Sequence, residues 1–157
     1  MRKLFSGGLA VIAGIVSLPA TGSLHTEPSQ AALRKSDTRI ERLKSFFGKF
    51  DCPAKEYSGA FIAAAERYRL DWRLLPSISY VESTGGKAAR NNNMFGWNSG
   101  NTSFSSAAAG IHEVAKRLSR SRLYRSKNLD QLLATYNPTG GYAQRVKTVM
   151  EQIAPAQ

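Results

Sequence analysis

DWRLLPSISYVESTGG, residues 71 to 86, decides how the rest of the chain is read. Leu74, Leu75, Ile78 and Val81 recur at the three- and four-residue intervals that put side chains on one face of an α-helix. Asp71 offers a cap at the front, and Pro76 falls in the early turns, where a missing N–H does least harm. Gly85-Gly86 stops the helix. Glu82 breaks the pattern. It follows Leu75 and Ile78 on the same face, so a carboxylate sits where the helix should turn to the core. Such a side chain is expected half-desolvated at the inner edge of a cleft. Desolvation disfavours the charged form of a carboxyl, which is the property a general acid needs.

The same periodicity extends in both directions. Upstream, Ile40, Leu43, Phe47 and Phe50 form an amphipathic stripe ended by Asp51-Cys52-Pro53. A second helix is predicted over about 57 to 69, with Phe61, Ala64, Ala65 and Tyr68 inward and Glu66, Arg67 and Arg69 outward. Residues 87 to 104 lack helical period and are rich in Asn, Gly and Ser, which predicts an irregular or hairpin lobe. Helix then returns. Ser105 offers a cap for a segment lined by Ala107, Ile111, Val114 and Leu118. Leu129, Leu132, Leu133 and Tyr136 mark a further helix, and Tyr142, Val146, Val149, Met150 and Ile153 the last. The expected fold is mainly α, a single domain of about six helices with one small lobe.

The 157 residues suffice for one such domain and not for two. Arg2 and Lys3, an apolar run from Leu4 to Leu18 and the small residues Ala20-Thr21-Gly22 read as an export signal over 1–22. The run falls short of the roughly 20 apolar residues that a membrane span needs, so no transmembrane segment is expected once the signal is removed; a retained N-terminal anchor is the alternative. Residues 23–38 are polar and mixed and read as a flexible lead-in, leaving 39–157 as the domain. A periplasmic or secreted location follows as the expectation. The single cysteine, Cys52, excludes an intramolecular disulfide, and its Asp-Cys-Pro setting reads as structural. The formal charge of +11 falls to +9 without Arg2 and Lys3. For an exported chain that charge points to anionic envelope polymers. No zinc-finger, helix-turn-helix or RNP-type signature argues for a specific nucleic acid.

Three short motifs then carry a resemblance. YVESTGG (Tyr80 to Gly86), NNNMFGW (Asn91 to Trp97) and ATYNPTGGYAQRV (Ala134 to Val146) occur in this order. Together they resemble the glucosaminidase-type peptidoglycan hydrolases, the mannosyl-glycoprotein endo-β-N-acetylglucosaminidase-like domain of the lysozyme-like superfamily. Soluble lytic transglycosylases show a related pattern. The likeness spans roughly Tyr57 to Ile153 and implies a lysozyme-like fold that cleaves β-1,4 bonds between amino sugars of peptidoglycan. It implies that Glu82 protonates the glycosidic oxygen and that Tyr136 lies near it as a second catalytic candidate, to orient Glu82 or hydrogen-bond the substrate. Asn92, Asn93, Phe95, Gly96, Trp97, Asn98 and Tyr142 become candidate substrate contacts. Aromatic rings suit the apolar faces of sugars, amides suit hydroxyl and N-acetyl groups, and Gly96 suits close backbone approach. No Gly-Leu-Met-Gln element follows Glu82, which favours the glucosaminidase type over the transglycosylase.

No acidic residue lies between Glu82 and Glu113, so the lobe cannot supply the second carboxylate of a two-carboxylate glycosidase. A lone-acid reaction is expected, assisted by the substrate's N-acetyl oxygen or a loosely held water. His112-Glu113 begins a zinc motif, but Lys116 stands where its second His belongs, so neither metal nor cofactor is expected. Lys116, Arg117, Arg120, Arg122, Arg125 and Lys127 form a basic run suited to a solvated face or to anionic wall polymer. Two other readings stand beside the glycosidase: a catalytically weak, basic envelope-binding module, and a secreted cationic binder of nucleic acid or membrane resting on charge alone.

Overall fold

The computed structural model describes residues 37–155, which fold as six α-helices and one 3-10 turn. The expected export signal, 1–22, and residues 23–36 of the expected lead-in lie outside the described residues. In order the helices are α1 (Thr38–Lys49), α2 (Ser58–Tyr68), α3 (Leu74–Ser83), α4 (Ala107–Arg120), α5 (Leu129–Tyr136) and α6 (Tyr142–Ile153), with the 3-10 turn at Pro53–Tyr57. The domain is mainly α. Its first helix starts one residue ahead of the boundary read from the sequence, because the Asp37 side chain accepts from Arg39 N–H at 2.9 Å and caps it.

α3 is the centre of the domain. Leu74 to Ser79 are all buried, so the helix is enclosed on every side over its first half. It packs on α6, while α2 packs on α4. Leu75 and Ile78 meet a core that includes Phe47, Phe61, Phe95, Ile111 and Val146, each fully buried. Burying a side chain of this size contributes about 1.5–3 kcal/mol, and this core stands without a disulfide.

Three local expectations shift. α1 ends at Lys49, so Phe50 leaves the stripe and is 41% exposed, while Phe46 takes the buried position. The α4 cap is Ser106 instead of Ser105: extended backbone at 106 brings its hydroxyl within 3.1 Å of Ala109 N–H. The α3 cap is less direct than expected. Arg73 is the residue ahead of the helix, and the Asp71 carboxylate accepts from Arg73 N–H at 2.9 Å. α5 has a reciprocal cap that the sequence reading did not pick out, between Asn128 and Gln131.

The exit from α3 is tied to the start of the domain. Thr84, Gly85 and Gly86 all take left-handed backbone, and the Gly85 carbonyl accepts from Ala54 N–H at 2.9 Å. A Cβ on residue 85 would stand 2.7 Å from the Cys52 Cβ. Cys52 is therefore packing material for the turn that follows Glu82, and burial pushes its thiol pKa up, away from nucleophilic use. Gly85→Ala is expected to destabilise the domain by roughly 1–3 kcal/mol through backbone strain and overpacking. Urea denaturation of the two proteins measures it.

Candidate active site

Glu82 is the penultimate residue of α3 and is half-buried. Residues 87–104 cross over it as an irregular lobe with one isolated bridge, Arg90 to Asn93, and no hairpin. Asn91, Asn92, Gly96, Asn98, Ser99 and Gly100 all have positive φ. That is a backbone reason for the Asn and Gly content of this segment, since these types reach the left-handed region at least cost.

Two side chains pin the lobe. Ser83, buried beside Glu82, donates to the Met94 carbonyl at 2.7 Å and accepts from Gly86 N–H at 3.0 Å. Asn93 is also buried. Its amide nitrogen donates to the Trp97 and Thr102 carbonyls at 2.9 and 3.0 Å, and its oxygen accepts from Phe95 and Trp97 N–H at 3.3 and 3.0 Å. These bonds fix the turn at Gly96, whose φ is +58°. A Cβ at 96 would lie 2.7 Å from Glu82 Oε2. The carboxylate occupies the space that a side chain there would fill.

Glu82 and Gly96 sit where two clefts meet. One, about 640 Å³, is lined on its other sides by Trp97, Asn98, Thr102, Arg117, Tyr124 and Tyr136. The other, about 350 Å³, runs past Ala88, Arg90, Asn91 and Asn101. Both volumes fall in the ~300–1,000 Å³ range of ligand sites. Among the described residues Glu82 is the only carboxylate lining either cleft. Glu113 is engaged by Arg117 at 2.8 Å, Asp130 by Lys147 at 2.7 Å, and Asp71 by Arg73 at 2.6 Å. Among the described residues no three His, Cys, Asp or Glu side chains come together as a metal site.

Of the residues expected at the site, Glu82, Gly96, Trp97, Asn98 and Tyr136 meet in the larger cleft. Four others have different places. Phe95 is 0% exposed, so its ring belongs to the core and cannot carry a sugar. Asn93 lines the smaller cleft, but its amide is spent on the lobe backbone. Asn92 is exposed but donates to the Phe104 carbonyl at 2.9 Å and lines neither cleft. Tyr142 is 1% exposed and lies beneath the cleft, stacked on Tyr136 with ring centroids 6.0 Å apart. Arg117, Tyr124, Thr102 and Asn137 line the cleft without having been singled out for it. Arg117 read as one member of a basic run, and only the packing of α4 against the lobe distinguishes it.

An aromatic wall backs the carboxylate. Trp97 packs edge-on to Tyr136 at 5.7 Å, and the Tyr136 hydroxyl donates to the Phe95 carbonyl at 2.6 Å. Tyr136 thus gives its proton to the lobe instead of to Glu82. Burial, then the nearby Glu82 charge, raises its pKa well above that of an ordinary phenol. Burial first and Glu82 second also push up Tyr142. Its buried hydroxyl meets no partner in full hydrogen-bond geometry, yet lies near enough to Glu82 for hydrogen bonding to that carboxylate to be the second cause of the rise.

Comparison of the chain with protein-family models, curated proteins and solved structures finds no match.

Both tyrosines hold their protons in the folded state beyond pH ~10, where an unfolded tyrosine ionises. The unfolded state then binds fewer protons, so stability is complete below that pH and falls as pH rises above it. In denaturation series at increasing alkaline pH, Tyr142→Phe is expected to lose stability less steeply than the parent.

Proposed function

We propose that the protein is a glycosidase acting on β-1,4 bonds between amino sugars of peptidoglycan, with Glu82 as its single acid and base. The observation that carries this reading is one half-buried carboxylate at the junction of two clefts, with no second carboxylate lining either among the described residues. A chain of sugars laid through both clefts would pass its glycosidic oxygen over that group. The export signal read in the sequence and the motif resemblance at 80–86, 91–97 and 134–146 point the same way.

Glu82 in its acid form donates its proton to the glycosidic oxygen as the bond from that oxygen to the anomeric carbon breaks. The developing oxocarbenium ion is met by the substrate's own N-acetyl oxygen or by water. Glu82, now a carboxylate, takes the proton of the attacking water, and the cycle closes. In the transglycosylase variant a hydroxyl of the same sugar attacks in place of water and leaves an anhydro end. Either course needs one carboxyl group, whereas the two-carboxylate scheme needs a partner about 5–10 Å away.

Gly96 belongs to this mechanism by its missing side chain, since the carboxylate must rest against the lobe to face both clefts. On a gel containing cell-wall polymer the parent chain is expected to clear a zone. Glu82→Gln is expected to lose at least about 100-fold of that activity while melting as the parent does. Clearing by Glu82→Gln at the parent rate would overturn the proposal. Gly96→Ala is expected to lower kcat by about 100-fold by displacing the carboxylate, with far-ultraviolet circular dichroism unchanged.

A further inference from the structure

The lone-acid reaction has no use for a cation, yet one lines the larger cleft. Arg117 comes from α4, and its side chain is 46% exposed. Two contacts hold it. Its Nε donates to Glu113 at 2.8 Å, and its guanidinium stands 5.5 Å from the centroid of the Trp97 ring. Neither contact uses the two Nη groups, which meet no acceptor among the described residues. Nor does Glu113 cancel the local charge, because Lys116 also approaches it, at 3.9 Å, and two cations share one carboxylate. An arginine held by its Nε edge and by an aromatic ring presents a preorganised fork, the geometry that pairs with a carboxylate through two parallel hydrogen bonds.

We infer that Arg117 is a specificity residue that binds a carboxylate carried by the glycan, so that the cleft selects acidic amino-sugar chains over neutral ones. The inference rests on the glycosidase reading and names the substrate feature which that reading leaves open. Such a carboxylate has two sources: the lactyl ether of a muramic sugar, or a peptide attached to it. The fork suits both. Trp97 and Tyr124 beside it supply apolar surface, and Asn98 an amide for the neutral parts of the same sugar.

The test is calorimetric titration of the Glu82→Gln protein, which prevents turnover, with three tetrasaccharides. One contains only N-acetylglucosamine. The second alternates N-acetylglucosamine with N-acetylmuramic acid and keeps its lactyl carboxylates free. The third carries peptides amide-linked at those positions. At least one acidic ligand is expected to bind about tenfold or more tightly than the neutral one, and the tighter of the two identifies the source. Adding Arg117→Gln should bring that ratio to about one, with Arg117→Lys between, in proteins of matched melting temperature. A ratio near one with Arg117 present, an unchanged ratio in Arg117→Gln, or binding of none of the three would overturn the inference. Failure of the glycosidase reading shows separately: the parent chain would bind with the expected preference and release no new sugar ends.

Discussion

Everything at the candidate site depends on the absence of a side chain at residue 96. With a Cβ there, 2.7 Å from Glu82 Oε2, the lobe and the carboxylate could not both keep their places. Because the position is glycine at φ +58°, the lobe turns tightly over the end of α3 and leaves the carboxylate half-buried between two clefts. The rest of the molecule holds that arrangement. Ser83 and Asn93 fix the lobe through buried hydrogen bonds, and Tyr136 clamps it from the far side through the Phe95 carbonyl. Cys52 backs the turn after Glu82.

The acid and the lobe above it are held in place by different means. Glu82 hangs from the most enclosed helix of the domain, whose Leu74–Ser79 stretch is wholly buried. Such a helix cannot shift without disturbing the core, which keeps the carboxylate in register with whatever lies in the clefts. The lobe has no regular ladder; turn-type backbone bonds, the buried Met94 and Phe95 and the side-chain bonds of Ser83 and Asn93 hold it. Among the described residues no helix is long and apolar enough to cross a membrane.

The helices were legible because burial in a mainly α domain repeats every three to four residues, and Leu75, Ile78, Ile111 and Val146 keep that period. What failed locally failed for local reasons. Phe50 continues the α1 period in sequence, but the helix has already ended. Ser105 and Ser106 are alike in composition, and only backbone direction chooses between them. The site was half legible. Glu82 stood out as a charge on an apolar face, and Gly96 as a turn. Phe95 carried the same motif yet serves the core, and Asn93 lines the smaller cleft with its amide spent on the lobe, because a motif does not say which of its members are free to bind. Arg117 and Tyr124 enter the cleft from residues far along the chain, so no spacing in the sequence marks them.

Cleavage of a bond between amino sugars by one carboxylate, Glu82, is what we propose, and mass spectrometry of borohydride-reduced products after the protein has acted on purified peptidoglycan tests it. New reduced N-acetylglucosamine ends that vanish with Glu82→Gln are expected; anhydro ends would assign the same carboxylate to transglycosylation. Peptidoglycan recovered with no new ends of any kind, or ends that persist without the Glu82 carboxyl, would contradict it.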